Sequence, residues 1–251
     1  MGLFVGTSGW HYPHWKGRFY PPDLPLSRWF SYYLQHFNTV EINYTFYHLP
    51  TEKTLHAWRE QAPEGFLYTL KASRAITHRP TKPSSREYLT HLFCRRARLL
   101  GEHLGVLLFQ FPPEAPWDPD LLRAIRRRCG HLRLAFEFRN PEVLALPEMP
   151  EVLGELGVAL CVALAPSLPP VFAATADFVY LRFHGVQRWY RDLFTDRDLE
   201  PFADFARRHL AAGRAVFAYF NNDYRGYAPR NALQFRRMVE AGLQAGGESG
   251  V

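Results

Sequence analysis

Leu3-Phe4-Val5-Gly6-Thr7-Ser8-Gly9-Trp10 is the stretch that decides the fold. An apolar run that turns polar at Thr7-Ser8 reads as a buried strand, and the turn after it separates the two large α/β architectures. A doubly wound sheet places a GxGxxG turn and a helix N-terminus there to hold a pyrophosphate. Here that spacing is missing, and the chain runs into an aromatic loop with Trp10, Tyr12, Trp15, Phe19 and Tyr20. The first unit therefore points to a barrel.

Seven further strand-like runs follow, at 39–43, 66–71, 105–110, 132–139, 158–163, 178–184 and 215–221. Helical patterns lie between them near 27–37, 52–61, 86–101, 118–129, 149–156, 198–212 and 229–243. Ser27 and Thr51 are candidate N-caps, and Pro119 and Pro201 fall near helix starts. Eight βα units without a sequence repeat, a Gly/Ser linker or a composition break predict α/β architecture as one (β/α)8 TIM-like barrel. The expected domain spans 1–245, with 246–251 as a disordered tail. The length of 251 residues and the 47% hydrophobic content agree with a globular barrel and exclude a disordered chain. No run approaches the ~18 apolar residues of a membrane span, and the start has no basic segment leading a long apolar one. A membrane partner is therefore not expected, and the cytoplasm is the expected location.

The net charge of +6 comes from 30 basic and 24 acidic residues. Only Lys16, Lys53, Lys71 and Lys82 are lysines; the remainder of the basic residues are arginines, so a lysine is a marked choice in this chain. The runs Arg95-Arg96-Ala97-Arg98 and Arg126-Arg127-Arg128 fall in helical patterns and read as solvated faces. Cys94, Cys129 and Cys161 are far apart, odd in number and without a CxxC pair, so reduced thiols are expected.

Polar residues gather where the strands end. The pattern gives Glu41 and Asn43, Lys71, Gln110, Glu137 and Arg139, Arg182 and His184, then Asn221, Asn222 and Asp223. Side chains alternate faces along a strand, so Glu41 shares a face with Asn43, Glu137 with Arg139, and Arg182 with His184. Structural ion pairing would explain any one of these residues. Desolvating so many charges together is costly, and barrels carry their active sites at the strands' C-terminal ends.

An ordered set of motifs runs along the chain: Gly6-Thr7-Ser8-Gly9-Trp10, Trp15-Lys16-Gly17-Arg18-Phe19-Tyr20-Pro21, and Thr39-Val40-Glu41-Ile42-Asn43 with Thr45-Phe46-Tyr47. It continues through Lys71-Ala72 with Thr77-His78, Leu108-Phe109-Gln110-Phe111-Pro112-Pro113 and Glu137-Phe138-Arg139. Tyr180-Leu181-Arg182-Phe183-His184-Gly185 and Tyr219-Phe220-Asn221-Asn222-Asp223 with Asn231-Ala232 complete it. In these motifs the chain resembles the YecE-like proteins, a family of unknown function with a TIM-barrel fold, over about residues 4 to 235. The resemblance implies a barrel loosely grouped with sugar isomerases and supplies no reaction. Two stretches depart from the family pattern: Ala163-Leu164-Ala165 lacks an aspartate, and Asn140-Pro141-Glu142-Val143 stands in place of a His-Pro-x-Trp segment.

The expected chemistry is acid–base catalysis on a small polar ligand, anionic or phosphorylated, of the sugar or sugar-phosphate class. Glu41 and Glu137 are the proton-handling pair, Lys71 the neutraliser of an oxyanion, and His184 an acid, base or ligand. Asn43, Gln110, Arg139, Arg182, Asn221, Asn222, Asp223, Trp10 and Tyr12 are expected to bind substrate. Glycines and arginines after the seventh and eighth strands could cradle a phosphate. A divalent metal held by Glu41, Glu137, His184 and Asp223 is a lesser expectation, because no HxxxH or HxE spacing marks a site and nearby arginines repel a cation. Two rival functions remain. One is nucleic-acid binding or processing by a basic aromatic mouth; the other is a non-catalytic ligand sensor.

Overall fold

The computed structural model of the protein describes residues 2–78 and 82–248. Strands and helices alternate along it. The strands are β1 (Leu3–Thr7), β2 (Thr39–Ile42), β3 (Leu67–Lys71), β4 (Leu104–Phe111), β5 (Leu134–Phe138), β6 (Ala159–Leu164), β7 (Phe178–Phe183) and β8 (Ala215–Phe220). The helices are α1 (Trp29–Leu34), α2 (Tyr44–Tyr47), α3 (Glu52–Gln61), α4 (Arg74–Thr77) and α5 (Pro83–Ala97). They continue as α6 (Pro119–Cys129), α7 (Pro141–Leu144), α8 (Met149–Glu155), α9 (Asp196–Ala211) and α10 (Tyr227–Glu248). The strands form one sheet in the order β1-β8-β7-β6-β5-β4-β3-β2. From β2 to β8 consecutive strands are neighbours, β8 also neighbours β1, and β1 and β2 end the row. That is the strand order of a (β/α)8 barrel read from the seam between its first two strands, the fold class the sequence predicts. None of the helices among the described residues is long and apolar enough to cross a membrane.

Two compact units can be distinguished. The first comprises Met1–Val40, Val162–Phe172 and Asp177–Val251; the second comprises Glu41–Cys161 and Ala173–Ala176. In the first, β7 pairs in parallel with β8 from Phe178↔Ala215 to Phe183↔Phe220, and β8 with β1 from Leu3↔Val216 to Thr7↔Phe220. The seam is closed by side chains. Asn38 accepts from the Val5 N–H at 3.2 Å and donates to the Leu3 carbonyl at 2.8 Å, standing in for a strand peptide. The buried Tyr33 hydroxyl accepts from the Thr7 N–H at 2.9 Å and donates to the Thr39 carbonyl at 3.0 Å. Gly6 is required here, because a Cβ at that position would lie 2.1 Å from the Thr39 carbonyl oxygen.

In the second unit β3, β4 and β5 pair in parallel, with β4 and β5 matched from Leu107↔Leu134 to Phe111↔Phe138. Every residue of β5 and all but the first of β4 are buried, as expected for strands covered on both faces. Thr51 caps α3 by accepting from the Thr54 N–H, as expected. Pro119 opens α6, also as expected, with Asp118 as its N-cap.

Several local expectations are corrected. Ser27 lies inside a 3-10 turn, Leu26–Arg28, and does not cap α1. Pro201 sits inside α9, which starts earlier at Asp196 because Thr195 and Asp198 form a capping box. The thiols are also not all reduced. Cys94 on α5 and Cys129 at the end of α6 form a disulfide with Cα atoms 5.5 Å apart, whereas Cys161 is free and buried. Their separation of 35 residues hides a proximity created by packing α5 on α6. Finally, α10 runs to Glu248, so residues 246–248 of the expected tail are helical; 249–251 lie outside the described residues.

Candidate functional site

In the second unit the strand ends gather a desolvated polar cluster. Glu137 on β5 is 1% exposed, and its Oε1 accepts from Arg139 Nε at 3.0 Å. Residues two apart on an extended chain share a face, and this pair meets as the alternation predicts. Gln110 is the register partner of Glu137 on β4 and is also buried. Its amide nitrogen donates to the Phe111 carbonyl at 3.1 Å and lies 3.2 Å from His78 Nε2. Lys71, the last residue of β3, is 8% exposed, with its ammonium 4.2 Å from the Phe46 ring centre. Its carbonyl accepts from the Thr45 hydroxyl at 2.6 Å, which ties α2 to the strand end. Glu41 is fully buried on β2.

His78 is the functional candidate that strand-end reasoning missed. It follows the four-residue helix α4, its ring packs edge-on against Phe46, and its Nδ1 is 2.8 Å from the Thr77 hydroxyl. Burial, and then the positive charges of Lys71 and Arg139, push its pKa down to about 4, against the smaller opposing pull of Glu114 and Glu137. The imidazole is therefore neutral near pH 7. The carbonyl of Phe111 can only accept, which fixes the Gln110 nitrogen as donor and His78 Nε2 as acceptor. The ring proton sits on Nδ1.

Asn43 does not extend β2. Its backbone is helical (φ −80°, ψ −20°) and it precedes α2, so the alternation that placed it on the Glu41 face stops at Ile42.

The first unit holds the other expected residues. His184 is fully buried after β7, its N–H donating to the Leu164 carbonyl at 2.8 Å. Its Nε2 lies 3.4 Å from Arg182 Nη1 and its Nδ1 lies 3.3 Å from the Asn221 amide. A guanidinium has only donors, so Nε2 accepts in that contact. Trp189 and Tyr190 pack against the ring. Asn222 is buried and donates to the Asp192 carbonyl at 2.8 Å and to Asn231 Oδ1 at 2.9 Å, contacts that brace loops. The Asp223 carbonyl accepts from Trp15 Nε1 at 2.9 Å, and its carboxylate lies 3.4 Å from His14 Nε2. Burial raises the Asp223 pKa, and His14 opposes this.

The phosphate cradle expected after β7 is filled from within. Asp192 Oδ2 accepts the N–H groups of Val186, Gln187 and Arg188 at 3.0, 2.7 and 2.8 Å. Of the aromatic loop, Trp15 and Tyr20 are core, Tyr20 stacking on Trp29. Trp10 and Tyr12 stay partly exposed, Trp10 against Phe30 and Tyr12 with its hydroxyl on the Ser8 carbonyl. Among the described residues no group of three or more His, Cys, Asp and Glu side chains could hold a metal ion.

These features can be set beside known proteins. The family model described as "Protein of unknown function DUF72" matches residues 4–249. The UPF0759 protein YunF of Bacillus subtilis (strain 168) is 26% identical over 95% of this chain and 95% of its own length. The UPF0759 protein YecE of Escherichia coli (strain K12) is 28% identical over 60% of this chain and 53% of its own. The crystal structure of a DUF72 family protein from Thermotoga maritima MSB8 superposes with a TM-score of 0.85 at 28% identity, covering 96% of this chain and 100% of that one. A xylose isomerase-like TIM barrel protein from Mycobacterium smegmatis, in complex with magnesium, matches at TM-score 0.52 and 13% identity over 88% and 91% of the two chains, a likeness of fold alone. With its barrel strand order and a match along nearly its whole length, the chain belongs to the DUF72 family.

Proposed function

We propose that the protein is an enzyme doing acid–base chemistry on a small polar metabolite of the sugar or sugar-phosphate class. One observation carries this reading: Lys71, His78, Gln110, Glu137 and Arg139 bring two cations, a carboxylate and a neutral imidazole together at strand ends of the second unit. Taking such groups out of water costs several kcal/mol per ion, which pairing offsets only where the geometry is good. Stability alone is better served by apolar side chains in those places. In (β/α)8 enzymes the catalytic groups stand at the C-terminal ends of strands.

The roles follow from the chemistry of each group. Glu137, kept as a carboxylate by Arg139, accepts the proton from a carbon next to a carbonyl. Lys71 neutralises the oxyanion that forms. His78 remains neutral, with its Nε2 lone pair available to a substrate hydroxyl in exchange for the Gln110 amide. Glu41, buried on β2, acts in its protonated form and delivers its proton to the neighbouring carbon while Glu137 keeps the one it removed, so the pair ends with the proton exchanged between them. His184 is given no step.

The test is proton exchange. The protein is incubated in heavy water with a panel of aldoses, ketoses and their phosphates, and loss of the proton next to the carbonyl is followed by NMR. The expected result is exchange in one class of the panel, falling ~100-fold or more in Glu137→Gln, as for loss of a general base. Exchange that persists unchanged in Glu137→Gln, or no exchange with any member, would overturn the reading.

A further inference from the structure

We propose that the first unit binds the phosphate backbone of a single-stranded nucleic acid in a groove along the N-terminal half of α10. A cavity of about 630 Å³ there is lined by five arginines, Arg18, Arg225, Arg230, Arg236 and Arg237, and by no carboxylate. A second cavity of about 510 Å³ shares Arg18 and Arg225 with it and adds Arg191 and Tyr224. The only acid in that second lining, Asp223, is engaged with His14.

Several arginines elsewhere meet carboxylates: Arg128 meets Glu87, Arg188 meets Asp192, and Arg207 meets Glu200 and Asp204. In the groove, Arg18 and Arg236 donate to the carbonyls of His14 and His36, which orient a guanidinium without neutralising it. Arg225, Arg230 and Arg237 form no ion pair among the described residues and are exposed. Five like charges lining one groove repel each other until a polyanion neutralises them.

The dimensions favour a strand over a single phosphate. Arg230 and Arg237 stand two turns apart on α10, about 10 Å along the helix axis. Arg225 extends the row ahead of the helix, so the guanidiniums are spread over more length than one phosphate can span. The flanking ring is a second sign. Tyr224 is 40% exposed, with the guanidiniums of Arg191 and Arg225 at 5.7 and 5.2 Å from its centre. Arg225 itself is held at φ +56°, the left-handed region that disfavours a non-glycine residue. An aromatic ring among arginines beside a basic groove is the arrangement with which proteins track single strands without reading sequence.

Binding of a fluorescein-labelled single strand of about 20 nucleotides, as DNA and as RNA, is measured by anisotropy between about 50 and 200 mM salt. Four neutralised phosphates predict a log–log salt slope of about −2.8, which is a loss of roughly 50-fold over that range. Arg230→Gln with Arg237→Gln is expected to weaken binding at least ~10-fold and to flatten the slope by about 1.4. The pair of lysine substitutions at the same sites should restore most of both. Thermal melting of each variant shows that the fold is kept. No salt-dependent binding, a slope unchanged in the glutamine variant, competition by inorganic phosphate as effective as by unlabelled strand, or preference for anionic lipid vesicles would each overturn the proposal.

Discussion

The Gln110 side-chain amide donates to His78 Nε2 across 3.2 Å while the same nitrogen is held by the Phe111 carbonyl at 3.1 Å. One amide thereby sets the tautomer of the imidazole that strand-end reasoning overlooked, and protonating Nε2 would turn two donors against each other. The ring should titrate at about 4 in the native protein, followed by its nitrogen shifts in NMR. Gln110→Glu replaces the donor with an acceptor and should move that midpoint upward past the ordinary imidazole value of 6.5. A midpoint unchanged by the substitution would refute the assigned tautomer. The folded-state value is depressed, so on acidification the unfolded chain takes the proton first. This site's contribution to stability is complete above pH 6.5 and is lost as pH falls toward about 4.

The Glu137–Arg139 ion pair predicts an asymmetry between variants. Arg139→Met withdraws the cation from a carboxylate that is 1% exposed and should destabilise the protein by about 3 kcal/mol. Glu137→Gln keeps the shape and an acceptor oxygen, and should cost less while removing the base. Urea unfolding of both singles and the double variant gives the coupling energy. Equal losses in the two singles would show that the carboxylate needs no partner.

At the seam between β1 and β2 the Tyr33 hydroxyl serves both sides. Tyr33→Phe takes a partner from the Thr7 N–H and the Thr39 carbonyl, at a cost of about 1–3 kcal/mol. Gly6→Ala should be worse, since its methyl would lie 2.1 Å from the Thr39 oxygen and the strands would have to part. The check is the fall in melting temperature, ordered wild type, Tyr33→Phe, Gly6→Ala. An alanine variant as stable as wild type would mean that the seam is loose.

Much of this was written in local sequence. The eight apolar runs predict the strands to within a few residues, because strands buried on both faces need uninterrupted apolar side chains. Alternation correctly pairs Glu137 with Arg139 and brings Arg182 to His184. It fails at Asn43, where the backbone turns helical one residue early, and periodicity carries no signal for that change. His78 stands in the sequence only as part of the Thr77-His78 motif, and Gln110, which gives it meaning, lies 32 positions away. The Cys94–Cys129 disulfide and the Asp192 nest are likewise products of packing and loop closure. Glycines and arginines after β7 read as a phosphate cradle because the carboxylate that fills it comes from the far end of the same loop.

That nest supplies the last prediction. Burial pushes the Asp192 pKa up, yet the N–H groups of Arg188, Gln187 and Val186, with the Arg188 side chain, bring it below the ordinary 3.8. A depressed carboxylate stabilises the fold above pH 3.8, and this is lost as pH falls through its folded value. Asp192→Asn replaces the anion with an amide offering one acceptor oxygen to three donors, and should cost about 1–3 kcal/mol. The loss should be local first, with amide hydrogen exchange at Val186, Gln187 and Arg188 accelerating before the rest of the unit responds. Arg188→Gln is the control. Its side chain is 70% exposed, so its ion pair with Asp192 is worth about 0–1 kcal/mol and the three amides should stay protected. If Arg188→Gln released them as fully as Asp192→Asn, the loop would be held by the ion pair rather than by the backbone donors.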